Sequence, residues 1–130
     1  MRQFVYISTA APDLGQVDIV NILEASARNN PGREITGFLL FNGRNFLQLV
    51  EGPKDALEVL MADIQSDPRH HGIVRLEDNP ISARACEKWT MKRLMLADSV
   101  DTREANLEQH LPRGLIAQVR RTILNFASLN

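Results

Sequence analysis

Residues 35–50 read I-T-G-F-L-L-F-N-G-R-N-F-L-Q-L-V, and the reading of this stretch decides the fold. Ile35 to Phe41 is almost wholly apolar, the pattern of a strand buried on both faces. Asn42-Gly43 follows, a dipeptide favoured by tight hairpins because both central positions can take positive φ. Asn45 to Val50 then returns as the second strand of the hairpin. Side chains alternate along a strand, so Phe46, Gln48 and Val50 share one face. An amide is thereby set among apolar neighbours.

C-terminal to the hairpin, Glu51-Gly52-Pro53 ends the strand, and Pro53 suits the first turn of a helix, where its missing N–H costs nothing. Leu57, Leu60, Met61 and Ile64 form an apolar stripe at helical spacing, closed by Asp67-Pro68. On the N-terminal side, Phe4, Tyr6 and Ser8 alternate with Val5 and Ile7 in a first strand, which A-A-P-D breaks. Leu14, Val17, Val20, Ile22, Leu23 and Ala27 then recur at helical spacing to about Asn30, where N-N-P-G stops the helix. Ile73 to Leu76 and a stretch around Trp89 to Met95 are further candidate strands, and Trp89 and Met91 would share a face of the latter. The order is βαββαβ with one strand added, an α+β, ferredoxin-like pattern with two helices on one face of the sheet. This unit covers residues 1–97. From Asp98 to residue 130 a charged segment leads to Leu115, Ile116, Val119, Ile123 and Phe126, which predicts a tail of two helices, either a cap over the exposed sheet face or an output element.

A chain of 130 residues, 44% hydrophobic and 24% charged, can bury a core without disulfides or metals. Its net charge of -1 supplies no general attraction to nucleic acid or to an anionic membrane. Arg120-Arg121 is a short basic pair on a solvated surface. Cys86 is the single cysteine, which excludes an intrachain disulfide framework. The start M-R-Q-F-V-Y-I-S reads as a strand and not as a signal peptide, and no apolar run is long enough to span a membrane. A cytoplasmic protein is expected.

A buried amide needs hydrogen-bond partners, and leaving one unsatisfied costs about 1–3 kcal/mol. Tyr6 and Gln48 could supply each other, since the first and third strands are neighbours in a ferredoxin-like sheet. Asn30 alone could be a helix-end asparagine, and Trp89 and Met91 alone could be core filler. The set in order is more specific: Tyr6; Asn30 within A-R-N-N-P-G-R-E-I-T-G; Gln48 within N-F-L-Q-L-V-E-G-P; R-H-H-G at Arg69 to Gly72; Trp89 and Met91 within W-T-M-K. From about Phe4 to Leu94 the chain resembles the BLUF family of flavin-based blue-light photoreceptors, and its brevity resembles the short, stand-alone members.

The resemblance implies non-covalently bound flavin, FAD foremost, with FMN or riboflavin able to substitute because recognition centres on the ring. It implies that Ile22 and Ile64 sandwich the ring from the two helices, that Phe46 packs nearby, and that Asn30 bonds the polar edge. Asn29, Asp67, Arg69 and His70 are further candidates for the ring edge or the ribityl and phosphate side. Tyr6 would be the light-driven electron donor. A proton would follow through Gln48, whose amide ends rotated or tautomerised and changes the flavin's hydrogen bonds, giving a red shift. Trp89 would be a competing donor, and Met91 would pass on the switch of Gln48. No metal site is expected, since His70 and His71 point to opposite faces. Such a sensor is not an enzyme. Its output would pass in trans to a downstream signalling protein, or through a homo-oligomer, by way of the tail helices or the sheet face.

Two other readings compete. A hydrolase of the acylphosphatase type on the same fold needs a phosphate-cradling loop with an Arg near the first strand, and S-T-A-A-P-D-L-G offers neither Arg nor much glycine. A chromophore-free ferredoxin-like interaction module would use Tyr6 and Gln48 structurally. Only a sensor is yellow and responds to blue light.

Overall fold

A computed structural model describes residues 1–128. Its elements run β1 (Arg2–Ala10), α1 (Gln16–Arg33), β2 (Thr36–Phe41), β3 (Asn45–Gly52), α2 (Lys54–Gln65), β4 (His70–Pro80), β5 (Lys92–Arg93), α3 (Val100–Glu108) and α4 (Ala117–Ser128). The sheet order is β4-β1-β3-β2-β5, antiparallel except for β5, which lies parallel to β2. The four long strands have the ferredoxin-like order expected of two interleaved βαβ units, which puts α1 and α2 on one face.

Period two divides the strands between two cores. Phe4, Tyr6, Leu39, Phe46 and Val50 pack on the helix face with Ile19 of α1 and with Leu57 and Met61 of α2. Val5, Phe38, Leu40, Leu47 and Leu49 pack on the other face, where Leu107, Leu111, Leu115, Val119, Ile123 and Phe126 of the tail cover them. A sheet apolar on both faces needs both covered, and here the tail is the second cover. Deleting it from Asp98 would bare five sheet residues that are wholly or almost wholly buried.

Several local expectations are corrected. Helix α1 runs through Pro31 to Arg33 and stops at Glu34, whose φ of 58° is left-handed. The Ile35 N–H closes the end on the Asn30 carbonyl at 3.0 Å and the Glu34 N–H reaches the Pro31 carbonyl at 3.2 Å, so the left-handed turn and not Pro31 ends the helix. Val17 and Val20 are 73% and 49% exposed and Ala27 is also exposed, while Ile19 is the fully buried residue of that helix. In the hairpin only Gly43 takes positive φ, and the Asn42 side chain braces the turn by accepting from the Arg44 and Asn45 N–H groups. Pro53 caps α2 from outside its first turn. Strand β4 is far longer than Ile73 to Leu76, because β1 pairs with it along nearly its whole length. The stretch around Trp89 shortens to the two residues of β5. Ile116 precedes α4 and is 50% exposed.

Gly37 on β2 has a packing requirement. A Cβ there would lie 1.9 Å from the Leu49 carbonyl oxygen. Backbone cannot swing aside as a side chain can, so Gly37→Ala is expected to cost about 3 kcal/mol by forcing β2 from β3. Urea unfolding of the variant checks this, and a midpoint equal to the parent's would refute it.

Candidate flavin-binding site

A cleft of about 660 Å³, its solvent-open mouth included, lies between α1 and α2. Its walls are Ile22 from α1 and Leu60 and Ile64 from α2, all half-buried. These residues line it because one face of each helix turns to the sheet and leaves its next row facing the other helix. Asn29, Asn30, Asp67, Arg69 and His70 also line it, with Gln48 on its floor. A smaller, wholly apolar-surfaced recess adjoins it, lined by Tyr6, Ile22, Leu39, Phe46, Gln48 and His70.

Antiparallel register puts Tyr6 directly opposite Gln48, with Leu39 on the far side. The Tyr6–Gln48 hydrogen bond expected from sequence is not formed. Gln48 Nε2 donates instead to Met91 Sδ at 3.1 Å, and the Tyr6 hydroxyl is buried with no partner among the described residues. Asn30, 2% exposed, donates from Nδ2 to the Thr90 carbonyl at 2.6 Å. The cleft thus has apolar walls for a flat ring, amides for a polar edge, and a buried phenol whose missing bond costs about 1–3 kcal/mol unless an acceptor enters beside it. This donor set fits a flavin.

Burial, and secondarily the Asp67 charge, hold the Tyr6 pKa well above the ordinary phenol value. The hydroxyl therefore keeps its proton near neutral pH. At the rim, Asp67 accepts two bonds from Arg69 Nε and one, at 2.6 Å, from Nη2. Those hydrogen bonds lower the Asp67 pKa and raise that of Arg69. His70 Nδ1 lies 2.8 Å from Ser8 Oγ, and its ring meets Phe46 edge-on at 5.8 Å.

Burial lowers the His70 pKa below its ordinary value, outweighing the opposing pull of Asp67. The unfolded chain therefore takes up this proton first as pH falls. The stability gained by keeping the imidazole neutral is present above about pH 6.5 and is lost as pH falls through the lower, folded value. Urea midpoints of flavin-free protein should drop between pH 7 and pH 5, and the drop should shrink in His70→Gln. Parallel pH profiles for the two proteins would sink this assignment.

Trp89 is where sequence and structure part. It packs on the tail face, edge-on to Phe38 with ring centroids 6.1 Å apart, while Met91 lies in the helix-face core. The two do not share a face. Residues 87–91 are not a strand but a loop crossing round the edge of β2, so period two does not apply to them. Five cleft residues were not foreseen: Ala25, Ser26, Arg33, Leu60 and Asp63. Ser26 and Leu60 are one helical turn from Ile22 and Ile64, a signal that was available. Arg33 and Asp63 join the two helices by an ion pair of 2.9 Å at the mouth, which needed the structure.

Comparison with known proteins agrees with this geometry. Residues 1–92 match the family described as sensors of blue light using FAD. The beta subunit of a photoactivated adenylate cyclase from Euglena longa is 39% identical over 92 residues, 70% of this chain and 11% of that protein. The blue light- and temperature-regulated antirepressor BluF of Escherichia coli is 38% identical over 71% of this chain and 23% of its own length. This chain therefore spans under a quarter of either curated relative. The dark-state structure of BlrB, a BLUF protein, superposes with a TM-score of 0.76 at 33% identity, covering 96% of both chains. With a family match over most of its length and a cleft that suits the ring, this chain belongs to the BLUF family of blue-light sensors using FAD.

Proposed function

We propose that light sensing in this chain begins at Tyr6 and Gln48 and leaves the site through Met91. The carrying observation is the buried, unpartnered Tyr6 hydroxyl directly across the β1–β3 register from Gln48. Flavin, when bound, supplies blue-light absorption and a strong oxidant on excitation. The residues supply the rest. Ile22 and Ile64 would hold the ring between the helices, with Phe46 behind it, and Asn30 would bond its polar edge. Asn29, Asp67, Arg69 and His70 also line the cleft, where they would meet the ring edge or the ribityl and phosphate side. Tyr6 carries the oxidisable phenol and its proton. Gln48 is both donor and acceptor, so it can relay that proton and end with its amide rotated or tautomerised. Either change alters its bond to Met91.

FAD is the ligand inferred here, and FMN or riboflavin would fit the same ring contacts. We take the chain to act as a cytoplasmic sensor with no catalytic turnover of its own, passing its signal to a partner protein or another copy. No helix among the described residues is long and apolar enough to cross a membrane. Residues 1–97 would form the sensor and residues 98–130 the tail, whose described part, to residue 128, caps the sheet and leaves the outer faces of its helices open to a partner. The absorption spectrum before and after blue light tests the reading: a flavin spectrum that shifts to the red and returns in the dark is expected. Colourless protein that takes up no added FAD would end it.

A further inference from the structure

Glu51 is fully buried, on the face of β3 opposite Gln48 and three residues beyond it. A buried carboxylate is costly unless its oxygens are satisfied. Here four donors meet it. Gln3 Nε2 at 3.1 Å and the Ala85 N–H at 3.0 Å reach Oε2, while Thr36 Oγ1 at 3.1 Å and the Cys86 N–H reach Oε1. Arg84 stands over the cluster, bonding Thr36 Oγ1, the Glu51 carbonyl and the Glu34 carbonyl. Two of the four donors are adjacent backbone amides of the segment that leads to Trp89 and Met91.

That segment is tied at its other end to the cleft. The Trp89 carbonyl accepts from the Gly37 N–H at 2.8 Å, the Thr90 carbonyl from Asn30, and Met91 Sδ from Gln48. It passes from Cys86 and Trp89 on the tail face to Met91 on the helix face. Strand β3 therefore grips the loop twice, at its root through Glu51 and at its tip through Gln48. With the root clamped, movement begun at Gln48 must be taken up between residues 87 and 91. Without the clamp the whole loop can follow.

We propose that Glu51 is a positioning residue for the light response: by holding the Ala85 and Cys86 amides it sets where Met91 meets Gln48, and so how fast the switched state relaxes. The relaxation part rests on the sensor reading above; the clamp does not. Only a carboxylate offers two oxygens that accept and never donate. Glu51→Gln would turn an NH2 group against donors already in place.

The test uses the full chain with FAD bound, reading amide hydrogen exchange at Ala85 and Cys86 and the return of the dark spectrum after illumination. In Glu51→Gln, exchange at both amides is expected to rise about tenfold or more, and the dark-return rate to change by a comparable factor. FAD uptake should match the parent's, because Glu51 does not line the cleft. Thr36→Val removes one donor and should move both readouts the same way by less. Unchanged exchange at Ala85 and Cys86 overturns the clamp. Raised exchange with an unaltered return rate shows a merely structural role and overturns the proposal equally. Should Glu51→Gln not fold, Thr36→Val is judged by the same two criteria. A parent chain that binds no FAD counts against the sensor reading, while the exchange criterion still decides the clamp.

Discussion

Gln48→Leu is expected to keep its flavin and lose the red-shifted state completely. Leucine has similar bulk and suits the apolar neighbours Leu39 and Phe46, so the floor of the cleft keeps its shape. It can neither donate nor accept, so proton relay and amide rearrangement both end. The bond to Met91 disappears as well, while the Thr90 and Trp89 carbonyls stay held by Asn30 and Gly37. Difference spectra under blue light should be flat where the parent shows a reversible shift. A full, reversible shift in the variant would make the amide structural.

Tyr6→Phe should also abolish or nearly abolish the shift, with longer-lived flavin fluorescence because the nearest oxidisable side chain is gone. A second, opposite effect follows from its burial. The parent hydroxyl has no partner among the described residues, so its removal should stabilise flavin-free protein by about 1 kcal/mol in urea unfolding. Activity and stability would move in contrary directions, as expected where a site holds a group ready for its ligand. Tyr6 and Gln48 are neighbours, so their combined substitution should not give the sum of the single effects. Trp89 lies behind Phe38 on the other face of the sheet, and Trp89→Phe should add little further quenching loss to Tyr6→Phe. A normal shift in Tyr6→Phe would remove the phenol from the scheme.

What could be read from the sequence was whatever depends on neighbours along the chain. The faces of β1 and β3 follow from strict alternation, which places Phe4 and Tyr6 with Phe46 and Gln48 and sets Val5 and Leu47 apart. Helical spacing puts Ile22 and Ile64 on apolar stripes, but it was the family resemblance that singled them out for the walls of the cleft. The errors arise where distant contacts decide. Val17 and Val20 fit an apolar stripe, yet α1 is rotated so that Ile19 and Asn30 face inward, because the sheet and the Thr90 carbonyl lie on that side. Trp89 and Met91 part company because Glu51, Gly37 and Asn30 steer the loop round β2, and none of the three is near in sequence. Tyr6 and Gln48 are in register, but register fixes Cα partners and not where a hydroxyl and an amide point.

The sheet with a core on each side carries a consequence for how such a chain can change over generations. Neighbouring residues on one strand serve different compartments: Leu47 and Leu49 the tail side, Gln48 the chromophore side. Substitutions can accumulate singly within either compartment. Insertion or deletion of one residue inside β1 or β3 cannot be absorbed in this way, since it inverts every position beyond it: in β3 it exchanges the cleft amide Gln48 for a leucine, and in β1 it exchanges Tyr6 for valine or isoleucine. Scanning single-codon indels through residues 3–51 should therefore leave tolerated lesions in the connections, such as residues 11–15 and 42–44, and photochemically dead ones within β1 and β3. The length of each strand core is inherited more strictly than most of the letters written in it.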